Sequence, residues 1–288
     1  MLQDLAFGRM ENEFRNTKPE NGDVVVCFQD NRVLLYRDKN DALTLPTYAQ
    51  VMDWAEKEHW QHWNEDAVQY VFRLQDINYF IWMGESGASG DETFAYESVN
   101  TLRQVISKNV CFGVMTAWHL YIWYRDNRFC GRCGHMTVHD HKERMMRCPE
   151  CGNMIFPKIA PAVIIAVTNG DKLLLSKYAG RAYTRYALLA GFTEIGETAE
   201  ETVQREVMEE VGLKVKNVRY YKTQPWGVAQ DLLLGYYCDL DGDDVIHLDQ
   251  MELSMAEWFE RGSIPAEDDG ISLTREMIRV FNEGKEPR

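Results

Sequence analysis

The segment from Gly191 to Leu213 constrains the fold of this 288-residue chain more than any other stretch; it reads GFTEIGETAEETVQREVMEEVGL. Thr198, followed three residues later by Glu201, is the pattern of a capping box, so a helix is predicted to begin there. Gly212 is placed to end that helix. Three valines recur at every fourth position and predict an apolar stripe that packs into a core: Val203, Val207 and Val211.

The same helix carries an acidic cluster. Glu206, Glu209 and Glu210 lie at i, i+3 and i+4, so their carboxylates share one face. Like charges at this spacing destabilise a bare helix by roughly 0.2–0.5 kcal/mol per pair, so the arrangement requires a counter-charge. Grouped carboxylate oxygens suit Mg2+ or Mn2+, which also bridge readily to phosphates. For an isolated run of this kind, the alternative interpretation is a solvated acidic face.

Two pairs of short apolar runs predict two β-hairpins. Residues 24–28 and 32–36 form the first pair, and residues 163–167 and 172–176 form the second, around an Asn-Gly turn. After each hairpin, a polar and aromatic stretch leads to another short apolar segment. We interpret this as a weak internal repeat. The first copy has no glutamate-rich segment, so it is expected to lack a metal site.

Four of the seven cysteines form two CxxC pairs, which are separated by fourteen residues. Thiolates at this spacing, Cys130 with Cys133 and Cys148 with Cys151, suit tetrahedral Zn2+. Four thiolates leave no open position for water, so one structural zinc per chain is predicted. Disulfides or redox dithiols are the alternatives. The other three cysteines stand alone in apolar stretches and are expected to be core residues: Cys27, Cys111 and Cys238.

The charge balance argues against one class of function. A formal net charge of −14 disfavours broad, sequence-independent nucleic-acid binding, because such binding depends on Lys and Arg that neutralise phosphates. No run of about 18 apolar residues occurs, so a membrane span is not expected. The first sixteen residues include acidic residues where a signal peptide would have a basic head and an apolar middle. A cytoplasmic protein is therefore expected.

Written as a pattern, the first segment matches a known signature. It runs Gly191, five residues, Glu197, seven residues, Arg205-Glu206-Val207, one residue, Glu209-Glu210, one residue, Gly212-Leu213. No position of the Nudix signature is missing, so the chain resembles the Nudix hydrolases. The resemblance implies an α/β (α+β) Nudix fold with a mixed sheet between helices. It also implies hydrolysis of a pyrophosphate bond with a divalent metal.

The order of the segments narrows the resemblance. A degenerate N-terminal region, the cysteine pairs, the Nudix signature and a Gln-Pro-Trp motif follow one another as in the NADH pyrophosphatases, which this chain resembles from about Arg103 onward. That family cleaves NAD(H) to nicotinamide mononucleotide and AMP, and some members remove NAD caps from RNA. Three domains are implied: a degenerate Nudix-like domain over 1–125, a zinc ribbon over 126–157 and a catalytic Nudix domain over 158–288. Relatives are often homodimers, so a homodimer is expected.

The resemblance also implies a set of site residues. The divalent-metal ligands fall on the backbone carbonyl of Ala190 and on three glutamates: Glu206, Glu210 and Glu252. Glu209 completes the carboxylate cluster, and Glu209, Glu210 and Glu252 are the candidates for a general base. Arg205 is expected to orient the cluster by pairing with Glu197.

Further positions match residues that contact the substrate. Phe156 and Phe192 fall where aromatic rings hold the adenine, a use consistent with base stacking. Thr274 falls where the family has alanine. The full set implied by the resemblance is Arg103, Glu143, Phe156, Phe192, Gln224, Pro225, Trp226, Gly227, Val228, Ala229, Gln230, Asp231 and Thr274.

The substrate motif departs from its familiar form, Ser-Gln-Pro-Trp-Pro-Phe-Pro followed two residues on by Ser. Residues 223–231 read TQPWGVAQD, which lacks two prolines and an aromatic ring, so the loop is expected to be less rigid. Asp231 adds negative charge near an anionic substrate. Two alternatives therefore stay open: a Nudix pyrophosphatase for ADP-ribose, nucleotide sugars or dinucleoside polyphosphates, and a non-catalytic ligand-sensing or RNA-binding protein.

Overall fold

The structure, a computed structural model, describes residues 1–5, 8–57, 67–84, 92–180, 184–264 and 269–288. The chain forms two compact units. The N-terminal unit contains Gln3–Lys158 together with Gly227–Gln230, and the C-terminal unit contains Met1–Leu2, Ile159–Trp226 and Asp231–Arg288. Among the described residues, no helix combines the length and the apolar character that a membrane crossing requires.

The N-terminal unit is built on one twisted sheet of short strands. The order across this sheet is β1-β5-β6-β2-β3-β4, β7 also pairs with β3, and β2 runs parallel to β6. The predicted hairpin is present as β2 and β3. The elements are β1 (Met10–Glu11), β2 (Val24–Gln29), β3 (Arg32–Arg37), β4 (Leu43–Thr44), α1 (Tyr48–Lys57), β5 (Val68–Leu74), β6 (Ile77–Trp82), β7 (Phe94–Ser98), a 3-10 helix (Leu102–Gln104) and α2 (Lys108–Asp126).

The same unit ends in a small ribbon. Its three antiparallel strands are β8 (Val138–His139), β9 (Met146–Arg147) and β10 (Met154–Ile155), with β9 in the middle. Met146 packs into the core beneath α2. The Arg144 guanidinium donates to the backbone carbonyls of Asn12, at 3.2 Å, and Val71. These contacts attach the ribbon to the sheet of the N-terminal unit.

The C-terminal unit has a second mixed sheet. Its order is β14-β15-β11-β12-β16, β13 pairs with β11, and β11 runs parallel to β15. The predicted second hairpin is present as β11 and β12. The elements are β11 (Ala160–Asn169), β12 (Lys172–Tyr178), β13 (Leu189–Phe192), α3 (Ala199–Val211), β14 (Val215–Trp226), β15 (Asp231–Leu240), β16 (Leu253–Glu260) and α4 (Leu273–Asn282).

Strand β11 separates two apolar cores, because successive side chains of a strand point to opposite faces. Val163, Ile165 and Val167 pack with the buried side of α3. Ile164 and Ala166 pack with the buried side of α4. The sheet therefore lies between α3 and α4, which confirms the predicted mixed sheet between helices.

The two units share the order of their elements and most of their strand pairing, although β4 pairs with β3 whereas β13 pairs with β11. In chain order, β2-β3-β4-α1-β5-β6-β7-α2 corresponds to β11-β12-β13-α3-β14-β15-β16-α4. Across the sheets, β5-β6-β2-β3-β7 corresponds to β14-β15-β11-β12-β16, and the parallel pair has the same place in both. Helix α1, in the place of α3, reads YAQVMDWAEK and lacks the REVMEE carboxylate set. The glutamates predicted to bind a divalent metal therefore belong to the C-terminal unit.

Candidate active site

Helix α3 begins and ends where the sequence predicts. The Thr198 hydroxyl accepts a hydrogen bond from the Glu201 N–H at 3.2 Å, and the Glu201 carboxylate accepts one from the Thr198 N–H at 2.8 Å, which completes the capping box. Gly212 ends the helix with a φ of 68°, a conformation that costs glycine little. The predicted valine stripe is fully buried against the sheet: Val203, Val207 and Val211. These caps and contacts fix the rotation of α3 about its axis.

The Arg205 side chain supplies the counter-charge that the acidic face requires. Its Nε and Nη2 donate to the two oxygens of Glu197 at 2.6 and 3.0 Å, which confirms the predicted pairing. Its Nη1 donates to Glu206 at 2.7 Å and to Glu209 at 2.9 Å, and Nη2 also donates to the carbonyl of Phe192 at 2.9 Å. Hydrogen bonding to Arg205 lowers the pKa of Glu197 to about 2. One guanidinium therefore binds three carboxylates. The i,i+4 spacing of Arg205 and Glu209 is a sequence signal for the contact with Glu209.

The glutamates of α3 differ in exposure. Glu206 is 8% exposed and Glu210 is 2% exposed, whereas the Glu209 side chain is 59% exposed. Burial raises the pKa of Glu206, opposed by Arg205 and reinforced by the negative charges of Glu209 and Glu252. Glu252 thus lies close enough to Glu206 to interact electrostatically. Because the Asp249 N–H donates to the Glu210 carbonyl at 2.9 Å, the turn that precedes Glu252 is attached to the end of α3.

A glycine in β13 makes room for the Glu206 carboxyl group. A Cβ atom added at Gly191 would lie 1.9 Å from the Glu206 carboxyl carbon and 2.0 and 2.3 Å from its oxygens. Real Cβ contacts are never that short, so a side chain at position 191 would displace the carboxylate. Ala190, the predicted carbonyl ligand, is the preceding residue and pairs with Ile164 in the sheet. The backbone of β13 and the carboxylate of Glu206 therefore form one surface.

The donor set of this surface fits a hard divalent cation. Two buried carboxylates, an exposed carboxylate and a nearby fourth glutamate supply oxygen ligands alone, which is the preference of Mg2+ and Mn2+. Arg205 offsets part of their mutual repulsion in the structure described here. The residues that would hold such an ion are Glu206, Glu210, Glu252 and the Ala190 carbonyl.

The four ribbon cysteines come together as predicted. Cys130 Sγ lies 3.6 Å from Cys151 Sγ, and Cys133 Sγ lies 3.4 Å from Cys148 Sγ. All four sulfur atoms lie within 4.8 Å of one another, and over the described part of the chain no other group of three or more histidine, cysteine or acidic side chains is as close. The Arg132 N–H donates a hydrogen bond to Cys130 Sγ at 3.4 Å. This bond is the largest of the effects that lower the pKa of the Cys130 thiol to about 6. Four cysteine sulfur atoms at this spacing fit tetrahedral Zn2+.

Gln224, a predicted substrate contact, is fully buried. Its amide nitrogen donates to the Ile271 carbonyl at 2.7 Å, and its amide oxygen accepts from the Leu273 N–H at 2.7 Å. Gln224 therefore joins the end of β14 to the start of α4, and its amide group does not reach solvent. The motif resemblance does not reveal this structural contact.

Other predicted substrate positions of the C-terminal unit are more accessible. Phe192 is 56% exposed, Pro225 is exposed, and Trp226 and Thr274 are half-buried. Asp231, in contrast, is 8% exposed, and its Oδ1 atom is buried without a hydrogen-bond partner among the described residues. Burial raises the pKa of Asp231 to about 6.

The turn between β14 and β15 belongs to the N-terminal unit. A Cβ atom at Gly227 would lie 2.1 Å from the carbonyl oxygen of Met115 in α2, so neither the proline of the familiar motif nor any other side chain fits there. Val228 packs against the core beneath α2, Ala229 is exposed and Gln230 is half-buried. This glycine permits a close backbone approach, a reason for the altered motif that the sequence does not reveal.

Three further predicted substrate positions also lie in the N-terminal unit. Arg103 is half-buried in the 3-10 helix, Glu143 is exposed in the ribbon, and Phe156, just beyond β10, is 52% exposed. The structure thus gathers the four glutamates, Phe192 and Asp231 in one unit. It places Arg103, Glu143, Phe156 and the 227–230 turn in the other.

Comparison with known proteins agrees with both parts of this arrangement. The family model described as NUDIX domain matches residues 158–281. The model described as NADH pyrophosphatase zinc ribbon domain matches residues 125–156. The two matches cover the segment that holds the glutamates and the segment that holds the cysteines.

Curated relatives match the chain over these segments and beyond. A protein of Klebsiella pneumoniae named NAD-capped RNA hydrolase NudC is 35% identical over 200 residues, which are 68% of this chain and 77% of the relative. One of the same name from Shigella dysenteriae is 37% identical over 62% of this chain and 70% of the relative. A third, from Pectobacterium atrosepticum, is 39% identical over 54% of this chain and 60% of the relative.

Proposed function

This chain belongs to the Nudix hydrolase family, and we propose that it hydrolyses the pyrophosphate bond of NADH or NAD+ to nicotinamide mononucleotide and AMP and removes NAD caps from RNA. The observation that carries the proposal is the intact carboxylate set of α3, held by Arg205 and by the close approach of Gly191 to Glu206. The zinc ribbon match and the names of the relatives support a dinucleotide substrate.

Different residues of the site have different proposed roles. Mg2+ or Mn2+, when bound by Glu206, Glu210, Glu252 and the Ala190 carbonyl, polarises the phosphate and lowers the pKa of the attacking water. Arg205 keeps the carboxylates of Glu206 and Glu209 in fixed orientations. A proton leaves the attacking water to one of the general-base candidates, Glu209, Glu210 or Glu252. The exposed ring of Phe192 is placed to stack on a base.

The ribbon cysteines hold one structural zinc. All seven cysteines are free of disulfides, and thiols persist in a reducing compartment, so we propose a cytoplasmic location. We also propose a homodimer, on the resemblance to relatives that are often dimeric.

A substrate panel tests the function. We expect metal-dependent conversion of NADH or NAD+ to AMP and nicotinamide mononucleotide, with kcat/KM above that for ADP-ribose, nucleotide sugars and dinucleoside polyphosphates. Initial rates with Mg2+ and with Mn2+, with products separated by chromatography, provide the measurement, and NAD-capped RNA is included as a substrate. A higher kcat/KM for ADP-ribose would favour the other Nudix activities, and tight RNA binding without turnover on any dinucleotide would favour a non-catalytic protein.

The variant Gly191→Ala tests the surface that β13 forms with α3. The added methyl group would occupy the position of the Glu206 carboxyl group, so we expect kcat to fall by about 10²-fold, the effect of a displacement of about 1 Å in a catalytic site. Gly22→Ala is a matched control, because a Cβ atom there meets nothing within 4 Å. Steady-state kinetics and circular dichroism are measured for both. Unchanged turnover in a folded Gly191→Ala protein would contradict the site.

A further inference from the structure

The last turn of α3 is bonded to the segment between β15 and β16, residues 241–252, which we call the connecting segment. The last four carbonyl groups of an α-helix have no partner within the helix. In α3, the Glu210 carbonyl accepts a hydrogen bond from the Asp249 N–H at 2.9 Å, and the Val211 carbonyl accepts one from the His247 N–H at 2.9 Å. The connecting segment therefore satisfies two of these four groups.

Side chains also hold the connecting segment in place. Ile246 and Leu248 pack against the core beneath α3. The Trp258 Nε1 donates to the Asp244 carbonyl at 3.2 Å. A Cβ atom at Gly212 would lie 2.8 Å from the Cβ atom of His247, so the segment passes close to the end of the helix. The connecting segment thus has a defined conformation, although it contains neither a helix nor a strand.

Asp249 shapes the turn that leads to Glu252. Its Oδ1 accepts from the Met251 N–H at 2.8 Å, the bond to a residue two positions on that defines an Asx turn. Its carbonyl accepts from the Leu253 N–H at 2.9 Å and from the Glu252 N–H at 3.3 Å. Because its own N–H donates to Glu210, Asp249 connects the end of α3 to Glu252 through its backbone and its side chain.

The backbone of Glu252 is bonded on both sides. Its N–H donates to Asp249, and its carbonyl accepts from the Ala179 N–H, just beyond β12, at 2.8 Å. Its side chain is exposed, and its negative charge contributes to the raised pKa of Glu206. The distance between the carboxylates of Glu252 and Glu206 therefore depends on where the turn places the backbone of Glu252.

We propose that Asp249 is a positioning residue for the divalent-metal site: its carboxylate sets the turn that aligns Glu252 with Glu206 and Glu210. The latter two are held by α3 itself, whereas Glu252 comes from a separate segment of irregular backbone. Asp249 acts through Glu252 and is not itself a metal ligand, since its Oδ1 accepts from the Met251 N–H. The inference rests on the proposed function, because it concerns the metal ligands of that same site.

Three substitutions of Asp249 separate positioning from charge. Asparagine keeps an oxygen that accepts the bond from Met251 but removes the charge, serine forms the same kind of turn more weakly, and alanine cannot form it. We expect the Kd for Mn2+ to rise about tenfold in Asp249→Ala, the effect of losing a group that orients a metal ligand. The rise should be smaller in Asp249→Ser, and Asp249→Asn should stay within about threefold of wild type. Titration with Mn2+, followed by electron paramagnetic resonance without substrate, measures these affinities.

The rate of NADH hydrolysis should follow the same order. At an Mn2+ concentration near the wild-type Kd, we expect the rate to fall about tenfold in Asp249→Ala. A higher Mn2+ concentration should restore part of this rate, because the site is weakened and its ligands are retained. Initial rates over a range of Mn2+ concentrations provide the measurement.

Asp243→Ala is the matched control. Asp243 lies in the same connecting segment, and its Oδ1 also accepts from a backbone N–H two residues on, that of Val245, at 3.3 Å. The substitution removes the same charge and the same kind of turn, but the turn lies far from Glu252 in the segment. We expect the Mn2+ affinity and the rate of Asp243→Ala to equal those of the wild type.

Hydrogen exchange of the metal-free protein reports on the turn without metal or substrate. The amides of Met251, Glu252 and Leu253 are bonded to Asp249, so they should exchange faster in Asp249→Ala than in the wild type or in Asp249→Asn. Peptides that cover residues 249–255, analysed by mass spectrometry, provide this measurement. Exchange in α3 should remain unchanged.

Equal losses of Mn2+ affinity in Asp249→Asn and Asp249→Ala would show that the charge of Asp249 matters, and would overturn the proposal. So would an Asp249→Ala protein that matches Asp243→Ala in affinity and rate. If Asp249→Ala does not fold, the comparison of Asp249→Asn with Asp249→Ser decides, and equal affinities in these two would contradict the proposal.

Mn2+ binding and hydrolysis together separate this inference from the proposed function. If the affinities follow the expected order but the wild-type protein with Mn2+ hydrolyses no dinucleotide, the proposed function fails and the assignment of Asp249 stands. If hydrolysis occurs but neither the Mn2+ affinity nor the rate depends on residue 249, the assignment of Asp249 alone fails.

Discussion

Replacement of Glu210 by glutamine is expected to lower kcat for dinucleotide hydrolysis by about 10³-fold or more. Glu210 is 2% exposed and lies on α3 one turn from Glu206, so the change removes a negative charge from the centre of the proposed metal site. The amide keeps nearly the same size, and the buried valine stripe, the capping box and the zinc ribbon are untouched. Loss of activity should therefore occur in a folded protein.

Glu209→Gln is a second variant that tests the site, and Glu200→Gln is the matched control. Glu209 is exposed and a candidate general base, so its variant should lose kcat with little change in metal affinity, whereas Glu210→Gln should lose both. Glu200 lies in the first turn of the same helix, where the Tyr236 hydroxyl donates to it, and glutamine retains that acceptor. Kinetics, Mn2+ titration and circular dichroism are measured for all three. Near-wild-type turnover of both Glu209→Gln and Glu210→Gln would refute the site.

Cys148→Ser is expected to abolish stoichiometric zinc binding and to unfold the ribbon. Structural zinc contributes about 10–16 kcal/mol of apparent binding free energy in small zinc-binding peptides, and one missing thiolate removes much of it. The ribbon is attached to the rest of the N-terminal unit by Met146 and Arg144, so its loss should spread into that unit. We expect the first thermal transition to fall by about 10 °C or more.

Cys111→Ala is the matched control for the zinc prediction. Cys111 is buried in α2, outside the four-sulfur group, so its loss should cost some stability and leave one zinc per chain. Metal content by atomic absorption and thermal melting by circular dichroism distinguish the two variants. Full zinc content in Cys148→Ser would show that the cysteine cluster is not the zinc site.

The catalytic helix and the cysteine cluster could be predicted from the sequence because the interactions that make them are local. The capping box joins Thr198 to Glu201, the valine stripe repeats every four residues, and each CxxC pair places two thiols within one turn. Each pattern is complete within a few residues. The hairpins followed in the same way from short apolar runs on either side of a turn.

Contacts between distant residues depended on the tertiary structure. Nothing near Gln224 in the sequence indicates that its amide nitrogen and amide oxygen will both form hydrogen bonds with the backbone at the start of α4, almost fifty residues later. The same holds for Gly227, whose replacement of a proline is explained by the carbonyl of Met115 in α2. Such contacts arise only when separate elements pack together, and the sequence carries no local signal for them.

The sequence by itself determined the type of chemistry, since carboxylates at helical spacing and four paired thiols define their metals by ligand type alone. Only the tertiary structure decided how these groups are held. It sets the carboxyl group of Glu206 against the backbone of Gly191, gathers three carboxylates on Arg205 and buries Asp231 between Ala160 and Trp226. The reason is physical: ligand type is a property of each side chain, whereas burial and close approach are properties of the packed sheet and helices.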